Sequence, residues 1–329
     1  MKIAVLSAGA WGTALAIAFA GRNSVALWAR EADVVEAMQR QRENVRFLPG
    51  YPLPETLQVV SSFDAAVSEA DLLVVATPLA GLRTTLQRIA EIAPGKPLVW
   101  VCKGLEAGTA KLPHVLAEEV LPAGSPYGAL SGPSFAEEVA NGLPTAVTLA
   151  ANDEAFARET ALVLHTPRLR IYANDDLVGV EVGGAVKNVM AIATGICDGL
   201  GLGLNARAAL ITRGLAEISR LGVAMGAQRE TLMGLAGMGD LILTCTGDLS
   251  RNRRVGLALA AGKTLEQILH DLGHVAEGVS TAREVARLAR DMGIEMPITQ
   301  AVDAILHHGV SASTAVEQLL MRDPKVETA

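Results

Sequence analysis

Cysteine is scarce in this chain: three residues in 329, at Cys102, Cys197 and Cys245. Their wide spacing and odd number fit neither a disulfide framework nor a zinc pattern, which points to free thiols and a reducing, cytoplasmic compartment. Any excess of positive charge is missing too. With 28 basic against 35 acidic residues the net charge is -7 and the pI about 5.5, whereas a sequence-independent nucleic-acid binder needs a basic field to displace counterions. There is no repeat of fixed period and no low-complexity segment. The histidines offer no recognisable metal-ligand set, since His307 and His308 are adjacent and Gly273 interrupts the helix that would carry His270 and His274. With 50% apolar and 19% charged residues and a mean hydropathy of +0.32, the chain is too hydrophobic to stay unfolded. It is also too punctuated by charge for a membrane bundle, so no membrane span is expected.

One apolar stretch imitates a secretory signal. Lys2 is followed by charge-free residues 3–21, which end in Ala18-Phe19-Ala20. The turn-like Ser7-Ala8-Gly9-Ala10-Trp11-Gly12 interrupts that stretch and a strand pattern resumes at 24–28, so strand, turn and helix is the better reading.

The first half alternates short β-branched runs with helical stretches, the pattern of βαβ units and a parallel sheet. Strands are expected at 2–6, 24–28, 57–61, 71–76, 98–102, 127–131, 145–150 and 169–173. Helices are expected at 11–20, 32–42, 64–70, 79–93, 113–121, 134–141 and 153–164. After about Asp176 the strand signals stop, and helices separated by glycine-rich turns such as 198–203 take over. A doubly wound α/β domain (1–178) should therefore precede an all-helical one (179–329), with a ligand cleft between them and a frayed tail beyond Arg322.

Residues 2–12 place a tight turn between the first strand and the first helix, where backbone N–H groups and the helix dipole can hold a pyrophosphate. The G-x-G-x-x-G fingerprint is incomplete: Ser7 stands where its first glycine belongs, and only Gly9 and Gly12 remain. At the end of the second strand, where NAD-binding domains carry an acidic residue, this chain has Arg30. Its guanidinium could pair with a 2′-phosphate, stack on adenine, or simply be a solvated charge. Lys103-Gly104 follows the strand at 98–102 on the edge where open α/β sheets bind ligands. Gly132-Pro133-Ser134 ends another strand, and Ser134 with Glu137 fits a capping box.

Lys187 is the most unusual residue. Between Leu177 and Ala206 only Glu181, Lys187 and Asp198 are charged, and Gly183-Gly184 lies one turn before Lys187. Small residues there admit a close neighbour, and apolar surroundings disfavour an ammonium, so its pKa should fall toward neutrality. Such a lysine can act as general acid or base, or else snorkel to water. Downstream, Gly237-Met238-Gly239-Asp240 precedes Ser250-Arg251-Asn252-Arg253-Arg254, a dense basic cluster at a helix start, where an anion such as a small phosphate is favoured.

Together these segments resemble the bacterial-type NAD(P)-dependent glycerol-3-phosphate dehydrogenases over nearly the whole chain. The shared segments are 7–12, Phe47-Leu48-Pro49, Cys102-Lys103-Gly104-Leu105-Glu106, Ser131-Gly132-Pro133-Ser134-Phe135-Ala136, and Gly183-Gly184-Ala185-Val186-Lys187-Asn188. Most specific is Gly234-Leu235-Ala236-Gly237-Met238-Gly239-Asp240-Leu241 with Thr244-Cys245 and Ser250-Arg251-Asn252-Arg253. The resemblance implies a Rossmann-type domain joined to a helical one, and reversible hydride transfer between NADPH or NADH and dihydroxyacetone phosphate, giving sn-glycerol 3-phosphate for phospholipid synthesis. It implies Lys187 as the proton donor and acceptor. Substrate contacts would come from Lys103, Gly132, Ser134, Lys187, Asp240, Ser250, Arg251 and Asn252. Cofactor contacts would come from Gly9, Ala10, Trp11, Gly12, Arg30, Lys103, Ala136, Arg251, Val275 and Glu277. No metal is called for, because the nicotinamide supplies the hydride and the lysines the polarisation. Asp240 is the natural residue to orient Lys187 and offset its repulsion from Lys103. A homodimer is expected from the apolar helical half. The β-hydroxyacid dehydrogenases, which also pair a Rossmann domain with a helical one and carry a catalytic lysine followed by asparagine, are the alternative family; they would recognise a carboxylate instead of a phosphate.

Overall fold

In the computed structural model, which describes residues 1–272 and 276–323, the alternating first half builds an eight-stranded sheet. The strands of the chain are β1 (Lys2–Leu6), β2 (Ser24–Trp28), β3 (Glu43–Asn44), β4 (Leu48–Pro52), β5 (Gln58–Val60), β6 (Leu72–Val75), β7 (Leu98–Trp100), β8 (Tyr127–Ser131), β9 (Thr145–Ala151) and β10 (Leu169–Asn174). The sheet order is β10-β9-β8-β7-β6-β1-β2-β5, so the chain winds outward in both directions from β1. The crevice beyond the carboxyl end of β1 is thus a topological switch point, the usual place for a nucleotide.

Alternate residues of β1 serve opposite faces. Ile3 and Val5 pack with Leu15 and Phe19 of the helix Ala10–Ala20, while Ala4 and Leu6 pack with Leu82 and Leu86 of the helix Leu82–Ile92. Covering both faces explains why these strands read as continuous apolar runs.

Two expectations need correction. The sheet is mixed, because β8 pairs antiparallel with β9, and β10 follows β9. The link after β8 contains only the five-residue helix Ala136–Ala140; at 1.5 Å per residue it rises about 8 Å, too little to carry the chain back across the sheet for a parallel return. The capping box at Ser134 is also absent: that helix has Phe135 at its N-cap with no side-chain bond, and the Ser134 hydroxyl donates instead to the Gly132 carbonyl (3.0 Å). The β3–β4 hairpin had no counterpart in the sequence reading, since Pro49, Gly50 and Pro52 mask its strand character. It docks on the glycine turn through Asn44, whose Nδ2 donates to the Ala8 carbonyl and to Thr13 Oγ1, both at 2.8 Å.

Beyond β10 the described residues are helical. The helix Leu177–Gly199 forms the axis of this half, with every residue from Gly179 to Cys197 buried. It is long and apolar enough to cross a bilayer, yet protein encloses it, as expected for a core helix without a polar face. The helix Arg251–Ala260 crosses it at backbone contact. A Cβ on Gly195 would lie 2.1 Å from the Arg253 carbonyl, and one on Gly256 would lie 2.1 Å from the Ile192 carbonyl. Alanine at Gly195 should therefore destabilise the protein by about 2–3 kcal/mol through overpacking, despite an intrinsic helix advantage of about 1 kcal/mol. A fall in the urea midpoint at unchanged m-value measures it; an unchanged midpoint would mean that the crossing relaxes freely.

Candidate active site

The turn after β1 is built for close backbone approach. Ser7 donates its N–H to the Trp28 carbonyl (3.0 Å), and its own carbonyl lies under Gly12, where a Cβ would sit 2.1 Å away. These constraints hold Ser7 at φ +98°, a conformation that favours glycine and costs a non-glycine residue of order 1–3 kcal/mol. The serine thus adopts the backbone that the missing glycine would have adopted. At Gly9 an added Cβ would meet nothing within 4 Å, and the first turn of the following helix carries no acidic residue. Open space at a helix N-terminus, beside N–H groups without intrahelical partners, fits a pyrophosphate. Ala10, Trp11 and Ala136 share one apolar cluster next to this turn. Arg30 stands apart, with its side chain 83% exposed and paired to Glu31 (2.8 Å). Val275 lies outside the described residues.

A buried charge centre forms where the loop after β7 meets the helical half. Lys103 comes from the loop after β7, Lys187 from the middle of the helix Leu177–Gly199, and Asp240 from the start of the helix Asp240–Thr246. Lys103 Nζ donates to Asp240 Oδ2 (2.6 Å) and to the Gly132 carbonyl (3.3 Å). Lys187 Nζ donates to Asp240 Oδ1 and to Thr244 Oγ1 (2.9 Å). One carboxylate, only 1% exposed, therefore receives both ammonium groups. The glycines before Lys187 make this possible: a Cβ on Gly183 would lie 2.6 Å from the Ala236 carbonyl, and one on Gly184 would press on Ser131 and the Lys103 stem. Burial pushes the Lys187 pKa down to about 7, the Lys103 charge pushes it the same way, and Asp240 opposes both.

The cluster at 250–254 divides by direction. Ser250 caps its helix by accepting from the Arg253 N–H (3.2 Å), and Asn252 is buried, bonding Asn188 Oδ1 (3.0 Å) and the Gly278 N–H (3.1 Å). Arg253 turns away to Asp198 and Asp248. Arg251 stays exposed, and its charge acts on the half-buried Glu277, whose pKa is raised by burial and held back by Arg251, Lys103 and Lys187. Gly132 and Ser134 thus reach the lysine pair through the Gly132 carbonyl, Asn252 bonds Asn188, the residue after Lys187 in its helix, and Arg251 with Glu277 border the pair electrostatically. One contributor, Thr244, which bonds the Lys187 ammonium, is not among the site residues expected from the sequence. Thr244 was accessible in principle, because it lies one helical turn after Asp240 and hence on the same face.

A glycine turn open at a helix N-terminus of the sheet half, together with a buried lysine pair sharing one carboxylate, is the combination expected of a nicotinamide-dependent dehydrogenase. Comparison with known proteins narrows this further. The model of the NAD-dependent glycerol-3-phosphate dehydrogenase N-terminus matches residues 2–157, and that of the C-terminus matches residues 176–317. The glycerol-3-phosphate dehydrogenase [NAD(P)+] of Dechloromonas aromatica is 68% identical over 329 residues, covering all of both chains. That of Aromatoleum aromaticum is 63% identical, covering 99% of this chain and all of its own. A crystal structure of glycerol-3-phosphate dehydrogenase from Coxiella burnetii superposes with a TM-score of 0.93 at 45% identity, covering 98% and 99% of the two chains. This chain belongs to the NAD-dependent glycerol-3-phosphate dehydrogenase family.

Because the folded state binds the Lys187 proton less tightly than the unfolded chain, this residue costs stability below about pH 7, and the cost disappears as pH rises toward the unfolded value of 10.5. Lys187→Met should consequently be at least as stable as wild type at pH 7, since Asp240 keeps Lys103 as its partner. It should also show a weaker rise of stability between pH 7 and pH 10. Thermal unfolding at several pH values tests this; an unchanged pH slope would remove Lys187 as its source.

Proposed function

We propose that the protein catalyses reversible hydride transfer between NAD(P)H and dihydroxyacetone phosphate, giving sn-glycerol 3-phosphate for phospholipid synthesis. The observation that carries this is the Asp240 carboxylate shared by Lys103 and Lys187. In the reduction, negative charge develops on the ketone oxygen, and Lys187 relieves it by delivering a proton. Its lowered pKa makes the ammonium a competent acid near neutral pH. Lys103 stabilises the same oxygen electrostatically, and Asp240 with Thr244 aims the Lys187 ammonium. Arg251 and the N-terminus of its helix receive the substrate phosphate. NADH or NADPH supplies the hydride when bound at the Gly9–Gly12 turn, with Arg30 available to a 2′-phosphate.

The domain roles follow: residues 1–178 hold the cofactor and 179–329 the substrate. We further propose that the enzyme is cytoplasmic, consistent with three free cysteines, and works as a homodimer. Leu202 and Leu204, 42% and 71% exposed where the helix Gly203–Ala224 begins, are candidate interface residues.

The direct test follows nicotinamide absorbance with dihydroxyacetone phosphate, unphosphorylated dihydroxyacetone or a short oxo acid. Turnover of the first alone is expected; preference for the oxo acid would move the protein to the β-hydroxyacid dehydrogenase reading.

Replacing Lys187 by methionine should lower kcat by about 10² to 10⁴ while leaving NADPH binding intact, and arginine, which stays protonated, should not restore it. For the wild-type enzyme, kcat for reduction should fall above about pH 7 as Lys187 loses its proton. A folded Lys187→Met enzyme with near wild-type kcat would refute the assignment. Arg251→Ala should raise KM for dihydroxyacetone phosphate and reduce kcat/KM strongly, since binding energy at the phosphate positions the reacting carbon. Wild-type kinetics in that variant would return Arg251 to the solvated surface.

A further inference from the structure

Glu181 is a carboxylate in the core with no part in the chemistry described above. It is 6% exposed, on the buried helix Leu177–Gly199, six residues before Lys187. A buried carboxylate costs several kcal/mol of desolvation, and an apolar side chain of similar size would fill the same space without that cost. Its partners indicate what it does instead. Oε1 accepts from Trp100 Nε1 (3.1 Å) and from the His114 backbone N–H (3.0 Å), and Oε2 meets His114 Nδ1. Trp100 is the last residue of β7, fully buried and stacked on Tyr127 at 5.5 Å between ring centroids. His114 is the second residue of the helix Pro113–Val120.

Trp100 and His114 bracket the loop that carries Lys103. One side chain from the Lys187 helix therefore grips both ends of the Lys103 loop, and the loop's outer turn is held separately by Glu284, which accepts from the Gly108 N–H (2.9 Å). Lys103 and Lys187 lie on elements from the two halves of the chain, so their separation depends on whatever ties that loop to that helix. We propose that Glu181 is a positioning residue that sets the placement of Lys103 against Lys187, and thereby the geometry of the two cations around the reacting oxygen. The proposal rests on the catalytic reading of the lysines given above.

The geometry also provides a conservative replacement. Glutamine at this position keeps an oxygen for the Trp100 and His114 N–H groups and offers its amide to a neutral His114 Nδ1. Leucine removes all three interactions at similar volume.

The test is a double-mutant cycle in kcat/KM for dihydroxyacetone phosphate, with Glu181→Leu and Glu181→Gln each made in wild-type and Lys103→Met backgrounds. Circular dichroism and NADPH binding verify the fold of each variant. Misplacing a catalytic group by about 1 Å can cost on the order of 100-fold, so Glu181→Leu should lose about 10- to 100-fold in the wild-type background. Glu181→Gln should stay within about 3-fold of wild type. In the Lys103→Met background, Glu181→Leu should lose less than about 3-fold, because the group it positions is gone.

Should Glu181→Leu fail to fold, Trp100→Phe keeps an aromatic ring against Tyr127 and removes the indole N–H, and the packing cost of its smaller ring is the same with or without Lys103. Its smaller loss should likewise vanish without Lys103. Equal losses in both backgrounds would overturn the positioning role and leave Glu181 a structural residue. A Lys103→Met enzyme with wild-type kcat/KM would overturn the catalytic reading itself, and the proposal with it.

Discussion

The candidate active site depends on one carboxylate between two ammonium groups, all largely withdrawn from water. Asp240 alone cannot neutralise Lys103 and Lys187, so the centre keeps one net positive charge when both lysines are protonated. In a site with few water dipoles to screen it, that residual charge acts strongly on whatever enters the cleft. It favours an oxygen that becomes negative during reaction, and it makes the Lys187 proton easier to release. In the proposed reaction the same three groups, brought from three separate elements to within hydrogen-bonding distance, would supply both the electrostatics and the acid.

Convergence at that range demands backbones closer than ordinary side-chain packing allows, and small residues meet the demand. Gly183 lies against the Ala236 carbonyl and the Gly237 Cα, Gly184 gives room to Ser131 and the Lys103 stem, and Gly195 meets Arg253 at the helix crossing. Each contact removes the width of a side chain between the central helix and a functional segment. The helix pays for this with weaker intrinsic propensity, but its burial on all sides leaves packing, not propensity, to decide its stability. The helix Arg251–Ala260 is oriented by the same principle: Gly195 and Gly256 set the crossing, Arg253 is drawn to Asp198, and Arg251 is left facing outward.

The sequence was most legible where local pattern and tertiary role agree. β1, β2 and β8 coincide with the expected spans, because their short apolar runs stop at polar or turn residues. The switch from mixed to all-helical structure near Asp176 was equally visible, since the last strand ends at Asn174 and the long helix starts at Leu177. Legibility failed where the deciding interaction is distant. The Ser134 hydroxyl turns to a carbonyl two residues back that Lys103, 29 residues away, also holds, and the direction of β9 depends on the length of a link, not on strand composition. Asn188 and Glu181 are polar residues within an apolar run, a signal that marks a buried partner without identifying it. Their partners, Asn252, Trp100 and His114, are 64, 81 and 67 residues away in sequence.

Ser7 illustrates the opposite case, a local rule broken while the backbone it serves is kept. The fingerprint uses glycine there for the positive φ, and Ser7 adopts φ +98° all the same. One backbone hydrogen bond and one close contact, neither involving its side chain, enforce this: parallel pairing carries its N–H to Trp28, and the start of the next helix, with Gly12 above the Ser7 carbonyl, leaves the peptide one path. A substitution at the first glycine is therefore a strain that the surrounding sheet can impose. A side chain at Gly12 would instead overlap the Ser7 carbonyl at 2.1 Å, and no adjustment of its own torsions relieves that. The glycines of the motif are consequently unequal, and the one replaced in this chain is the one whose role the neighbouring strands can enforce.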